Sequence, residues 1–218
     1  RYVHLVLDEV QDFSPVEVQV LLDTAGPHPS VTLAGDVRQH ISADGGFTDW
    51  MGFLDNIGVA SSALNTLEVS YRSTHPITRF ALEVLDTDEP PPRTPRDGPP
   101  VEFFRFGDHG ACVAFLADEL SRLIRREPLA NIAILTADSA LASEYSEGLV
   151  RADVPSVRRV RDQKFGFKPG IDVVEADQVK GLEFDYVVIV EASARFWPDT
   201  PRHRRLMHVA ATRAVHQL

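Results

Sequence analysis

Short apolar runs rich in Val and Ile alternate along this chain with longer stretches of helical period, which restricts the fold to strands connected by helices. Strands joined in this way pair side by side in one direction, so the expected class is α/β with mainly parallel sheets. The strand candidates are Tyr2–Leu7, 30–34, 65–69, 101–106, Asn131–Thr136, 157–160, 171–175 and 186–190, with helices between them. Residues 89–100, EPPPRTPRDGPP, break the pattern. Proline fixes φ and lacks an amide donor, so this stretch is neither helix nor central strand and reads as a rigid connector. With 218 residues and 44% hydrophobic content, the chain has enough apolar surface for a real core in one large domain or two small ones. Its first residue already begins a strand, so the chain reads as a piece of something longer.

A net charge of −10 and a pI near 5.2 argue against a chain that coats nucleic acid or an anionic membrane by bulk electrostatics. Any such contact has to be local. The one cysteine, Cys112, has no partner for an internal disulfide and lies among apolar residues in GACVAFLADELSRLI, where it reads as helix core rather than as a nucleophile. No Cys/His cluster of metal-binding type, signal peptide or apolar run of membrane-spanning length occurs in the sequence, and the cytoplasm is the simplest location.

Five strings carry chemistry. In LVLDEVQD a buried-type strand runs into two adjacent carboxylates, Asp8 and Glu9. At the carboxyl edge of a parallel sheet such a pair enters the crevice where ligands bind, and it suits a metal-holding acid beside a base; an acidic strand end facing solvent is the competing reading. In VTLAGDVRQHI a second strand ends in Gly-Asp with Gln39 three residues on, a neutral amide able to sense a phosphate oxygen. Gly35 would permit a tight exit from the sheet. LEVSYRSTHPI sets the flat face of Tyr71 beside the planar charged fork of Arg72, although a core tyrosine next to a surface arginine is equally an ordinary arrangement. In VVEADQVKGLEFDYVVIVE two strands flank a polar turn containing Lys180, Gly181 and Glu183. RRLMHVAATRAVHQL has an amphipathic helical period with Arg213 near its end, where a solvated helix arginine is the plain alternative.

In this order, DEVQD, GDVRQ, SYRS, VKGLEFDYVVIV and VAATRA resemble motifs II to VI of the UvrD/Rep-like superfamily 1 helicases, over residues 5–218. The resemblance implies a RecA-like P-loop NTPase fold in which residues 1–68 are the carboxy-terminal remnant of a first domain and 69–218 most of a second, with ATP and Mg²⁺ bound in the cleft between them. It implies that Asp8 holds the metal, Glu9 is the catalytic base, and Gln39 couples the terminal phosphate to the rest of the motor. Tyr71 then stacks on adenine, Arg72 and Arg213 reach the terminal phosphate, and Glu183 binds ribose on a turn shaped by Gly181. The glycine-rich lysine loop of motif I is absent from the 218 residues, so the chain alone is expected to be inactive. The resemblance also implies that a final strand of the second domain lies beyond Leu218.

Several positions depart from the family pattern. His40, Ile41 and Ser42 follow Gln39 where the family carries a serine and a DNA-stacking aromatic; Phe47 or Trp50 could substitute or could belong to the core. Glu175 and Asp177 stand where a threonine and a histidine touch the nucleic-acid backbone, and carboxylates there would repel phosphates. The large insertion between motifs IV and V is missing, which with QVKGLEFD and PRTPRDG looks more like the HelD-like branch, whose partner is RNA polymerase. In SVRRVRDQKFGFKPG, Arg158, Arg159, Arg161, Lys164 and Lys168 interleave with Phe165 and Phe167, a mixture that fits a single-strand grip or a solvated basic hairpin. The expected function is therefore the carboxy-terminal part of an ATP-dependent motor acting on nucleic acid, DNA foremost, or on RNA polymerase. A non-hydrolysing nucleotide-gated clamp or an RNA polymerase-binding module is the alternative.

Overall fold

The computed structural model describes residues 2–40, 47, 49–59, 63–87, 91–166 and 168–218, with the backbone alone at 27–29. Two compact units divide the chain, Arg1–Leu67 and Glu68–Leu218. In the first, β1 (Tyr2–Leu7) pairs in parallel with β2 (Ala25–Leu33), Leu5 against Val31 and Leu7 against Leu33. Between them runs α1 (Pro15–Asp23), whose start is fixed by a reciprocal cap: the Ser14 amide donates to Glu17 Oε2 at 2.7 Å and the Glu17 amide to Ser14 Oγ at 3.3 Å. Helix α2 (Trp50–Asn56) starts on an Asp49 cap. The core joins Leu7, Val10 and Val18 to Phe47, Phe53 and Ile57, with the Phe47 ring 4.6 Å from Phe53 and 5.0 Å from Trp50. Phe47 is thus core, and an aromatic buried in this way is not presented to a base.

The second unit is a five-stranded parallel sheet in the order β4-β5-β3-β6-β7. It contains β3 (Asn131–Thr136), β4 (Val157–Arg159), β5 (Gly170–Glu175), β6 (Phe184–Ile189) and β7 (Ala214–Gln217). Helices α3 (His75–Leu85), α4 (His109–Arg126), α5 (Ser139–Arg151) and α6 (Pro201–Ala211) complete it. Central β3 is buried over Ile132, Ala133, Ile134 and Leu135, because a parallel strand covered on both faces needs a continuous apolar run. Asp108 and Asp138 accept the amides of Ala111 and Leu141, each at 2.8 Å, and thereby set where α4 and α5 begin. Cys112 lies half-buried on α4 against this core, and burial together with the nearby Glu191 carboxylate outweighs the Tyr145 hydroxyl bond in raising its thiol pKa. That is a packed thiol, not an activated one.

The α/β class with parallel sheets holds, but three expected details differ. Residues 65–69 form no strand; Val69 makes one isolated bridge to Arg93, supported by Arg93 N–H to the Glu68 carbonyl at 2.9 Å. Residues 101–106 form no strand, although the Glu102 N–H donates to the Leu218 carbonyl, just past β7, at 3.3 Å. Their alternation serves aromatic packing, with Phe103 on Phe80 at 5.7 Å and Phe104 and Phe106 on Phe115 at 4.9 and 5.2 Å. The helical period read through to Leu218 stops at Ala211, and Ala214–Gln217 pairs with β6 instead, so a strand at the β6 edge of the sheet lies within the chain.

Truncating Ile134 to Ala is expected to destabilise the second unit by about 2–5 kcal/mol, the range for a large buried aliphatic. Val150→Ala, on the exposed side of α5, is expected to stay within about 0.5 kcal/mol. Urea titration of the chain, followed by circular dichroism, measures both.

Candidate nucleotide site

In the first unit, β1 delivers Asp8 and Glu9 at its carboxyl end as expected, but it is not the buried strand that the apolar run suggested, since Val3 and Val6 are exposed and only Leu7 is buried. Asp8 is exposed, and its Oδ1 accepts the Glu9 amide at 2.9 Å. Glu9 has a left-handed backbone, φ 53°, ahead of a single 3-10 turn over Val10–Asp12. A residue with a Cβ is rare there, and such conformations persist where surrounding bonds enforce them. One enforcing bond comes from Gln11, fully buried, whose Nε2 donates to Glu9 Oε2 in a short contact. Gln11 Oε1 accepts the Asp36 amide at 3.0 Å, and its carbonyl pairs with His40 Nδ1 at 2.7 Å. Gln39 donates to Asp36 Oδ2 at 2.9 Å. Gly35 earns its place by close approach, since a Cβ there would come within 2.5 Å of Gln11 Oε1. Asp8, Glu9 and Gln39 thus belong to one hydrogen-bonded patch whose organiser, Gln11, was not singled out from the sequence. Its signal was an amide flanked by acids in DEVQD.

In the second unit, three strings far apart in sequence converge at the amino edge of β6 and β7. Arg72 Nε lies 2.6 Å from Glu183 Oε1, with 40% and 50% of the two side chains exposed. Tyr71 beside it is 71% exposed, available as a stacking face. Gly181 has φ 77°, which only glycine adopts freely, and its turn precedes Glu183. Arg213 is only 1% exposed. Its Nε donates to the Val209 carbonyl at 3.1 Å, Nη1 to the Leu182 carbonyl at 3.3 Å and Nη2 to Thr212 Oγ1 at 3.3 Å. The solvated helix arginine is therefore excluded. Ser73 Oγ donates to the Ala214 carbonyl at 2.8 Å, and Phe184 N–H to the Arg213 carbonyl at 2.9 Å, so SYRS, KGLEF and ATRA are laced through their backbones. Arg96 of the proline-rich connector adds a short bond to the Arg72 carbonyl and lies 3.2 Å from His216 Nδ1. Ser73 and Arg96 escaped the sequence reading because their partners are backbone atoms more than a hundred residues away or in another loop.

Two of the five basic side chains of the 158–168 segment are committed elsewhere. Arg158 pairs with Asp172 at 2.7 Å, and Arg159 with Glu175 at 2.7 and 3.1 Å. Phe165 lies 6.3 Å from the Phe184 ring, and Phe167 falls outside the described residues. Arg161, Lys164 and Lys168 are exposed. Glu175 is equally not a bare charge: burial pushes its carboxyl up, but the Arg159 guanidinium and further hydrogen bonds prevail and hold it below the usual carboxylate range. Its repulsion of a phosphate is thereby offset at short range.

With this geometry in view, residues 170–218 match the family described as the UvrD-like helicase C-terminal domain. Two curated relatives, both ATP-dependent DNA helicase UvrD2, from Mycobacterium bovis and Mycobacterium tuberculosis, are 28% identical over 165 residues, 71% of this chain and 23% of theirs. The chain thus spans about a quarter of the length of these relatives. The crystal structure of the C-terminal domain of a possible DNA helicase from Lactobacillus plantarum WCFS1 superimposes with a TM-score of 0.56 at 28% identity, covering 68% of this chain and 84% of that one. The likeness to UvrD-like helicases drawn from the motif order, and the RecA-like α/β class, are borne out.

The Arg159–Glu175 pair gives a pH signature. A carboxyl whose folded pKa lies below its unfolded value contributes stability above the ordinary range near 4.5, and that contribution is lost as the pH falls through the depressed folded value. The melting temperature of the chain is expected to fall on acidification below about pH 5, and Glu175→Gln is expected to flatten this slope while lowering stability at neutral pH.

Proposed function

We propose that this chain, with a UvrD-like helicase C-terminal domain match at residues 170–218, is the nucleotide-handling carboxy-terminal part of an ATP-dependent DNA helicase-type motor. The observation that carries the reading is the convergence of SYRS, KGLEF and ATRA on one sheet edge, where a stacking ring, two guanidinium groups and a carboxylate lie together. Those are the groups a nucleoside triphosphate needs: a face for the base, an acceptor for ribose hydroxyls and fixed positive charge for phosphates.

Tyr71 stacks on the base and Glu183 accepts from the ribose. Arg72 exchanges its carboxylate partner for phosphate oxygens, so nucleotide binding replaces one ion pair by another and avoids stripping a bare charge. Arg213, buried and hydrogen-bonded, is a preorganised positive centre whose field needs no reorientation. In the first unit Asp8 fits Mg²⁺, which takes few protein carboxylates and completes its shell with water and phosphate. The ion supplies charge compensation at the phosphates when bound. Glu9 removes a proton from the attacking water, and Gln39 reports the terminal phosphate to the Asp36 turn. The partner is DNA, reached by local contacts given the acidic chain; no described feature favours RNA polymerase. A cytoplasmic location belongs to the same reading.

The chain by itself is expected to hydrolyse ATP no faster than background, because its 218 residues contain no GxxxxGK[ST] loop. In the full-length protein Glu9→Gln is expected to keep ATP binding within about twofold and to lower turnover roughly a hundredfold or more, the scale of a lost general base. Steady-state ATPase assays beside binding of a fluorescent ATP analogue separate the two. Equal, negligible turnover by wild type and Glu9→Gln would point to a nucleotide-gated clamp instead.

A further inference from the structure

We infer that Gln11 is a positioning residue that holds the catalytic carboxylate and the phosphate-sensing turn in one rigid frame, a role that rests on the nucleotide reading above. Gln11 is fully buried, yet neither end of its amide is spent on routine packing. Its donor end grips Glu9 Oε2, and its acceptor end takes the Asp36 amide at 3.0 Å. Asp36 in turn binds Gln39 Nε2 at 2.9 Å. An unbroken path of Glu9, Gln11, Asp36 and Gln39 therefore links the proposed base to the proposed phosphate sensor.

Polarity explains why the residue is an amide. The Glu9 carboxylate requires a donor and the Asp36 amide requires an acceptor, and a neutral side chain supplying both at this length is glutamine. Two surroundings accommodate this placement: the Gln11 backbone is anchored where its carbonyl meets buried His40 at 2.7 Å, and residue 35, without a Cβ, leaves room for Oε1. The Glu9 backbone, at φ 53°, gains a side-chain tether against relaxing. Movement of Gln39 toward or away from a phosphate is thereby transmitted to the carboxylate that activates water. Loss of the tether leaves the base chemically intact but loosely aimed, which lowers turnover more than binding.

Three variants of the full-length protein, compared with wild type and Glu9→Gln, test this. Gln11→Glu keeps shape and acceptor but replaces the donor with a second carboxylate. Without that donor its kcat is expected to fall about tenfold or more while KM for ATP stays within about twofold. Gln11→Leu, which removes donor and acceptor together, is expected to lose at least as much in kcat with KM again within about twofold. Gly35→Ala, which displaces Oε1 and also crowds Val10, is expected to lower kcat in the wild-type background and to add little in the Gln11→Leu background. If the Gln11 variants fail to fold, the kcat and KM of Gly35→Ala decide. Turnover within twofold of wild type for every folded variant, or a weakening of KM as large as the loss in kcat, overturns the inference. In either case a hundredfold loss in Glu9→Gln leaves the functional reading standing; Glu9→Gln turning over like wild type sinks that reading itself.

Discussion

A buried arginine organises the second unit. Taking a guanidinium out of water costs several kcal/mol unless its donors are answered, and Arg213 answers them with the carbonyls of Val209 and Leu182 and the hydroxyl of Thr212. Two of these partners lie at the end of α6 and one in the KGLEF turn, and β7 begins at the next residue, Ala214. The Arg213 carbonyl then accepts from Phe184 at the head of β6, and Ser73 closes the circle on the Ala214 carbonyl. Three short strings at the ends of regular elements are held by bonds to one another's backbone, and the exposed Arg72, Glu183 and Tyr71 ride on that frame.

The two halves solve the same problem differently. In the first unit the rigid element is a neutral amide, Gln11, with a strained glutamate backbone held beside it; in the second it is a charge, Arg213, with exposed partners around it. A site built on short turns needs such fixed centres, because turns lack the ladder bonds that make strands stiff. The Arg72–Glu183 pair is the soft part by contrast: both side chains are substantially exposed, so screening by water makes the pair weak and exchangeable.

Much of this was legible from residue order. Val/Ile runs over 131–136 and 171–175 read as buried parallel strands because the period of such strands is a continuous apolar stretch, and the structure has both. Asp8 and Glu9 were placed at a strand end by the LVL run before them. What escaped depended on distant partners. Val101, Phe103 and their neighbours alternate like a strand but pack on α3 and α4, and AVHQ after Arg213 is too short to declare itself against the helix before it. Arg158 and Arg159 looked like a charged face, yet Asp172 and Glu175, which neutralise them, sit across a strand pair no local pattern could reveal. Ser73 and Arg96 act on the Ala214 and Arg72 carbonyls, backbone groups that carry no sequence signal, whereas Gln11 had only its acidic neighbours in DEVQD to mark it.

The most direct measurement of the central claim is an amide chemical-shift titration of this chain with ATP and Mg²⁺ at millimolar concentration. A nucleotide surface formed by SYRS, KGLEF and ATRA predicts that the largest shifts cluster at Arg72, Ser73, Gly181, Glu183 and Arg213 and vanish in Arg72→Ala. Shifts that avoid those amides, or that persist unchanged in Arg72→Ala, would contradict it.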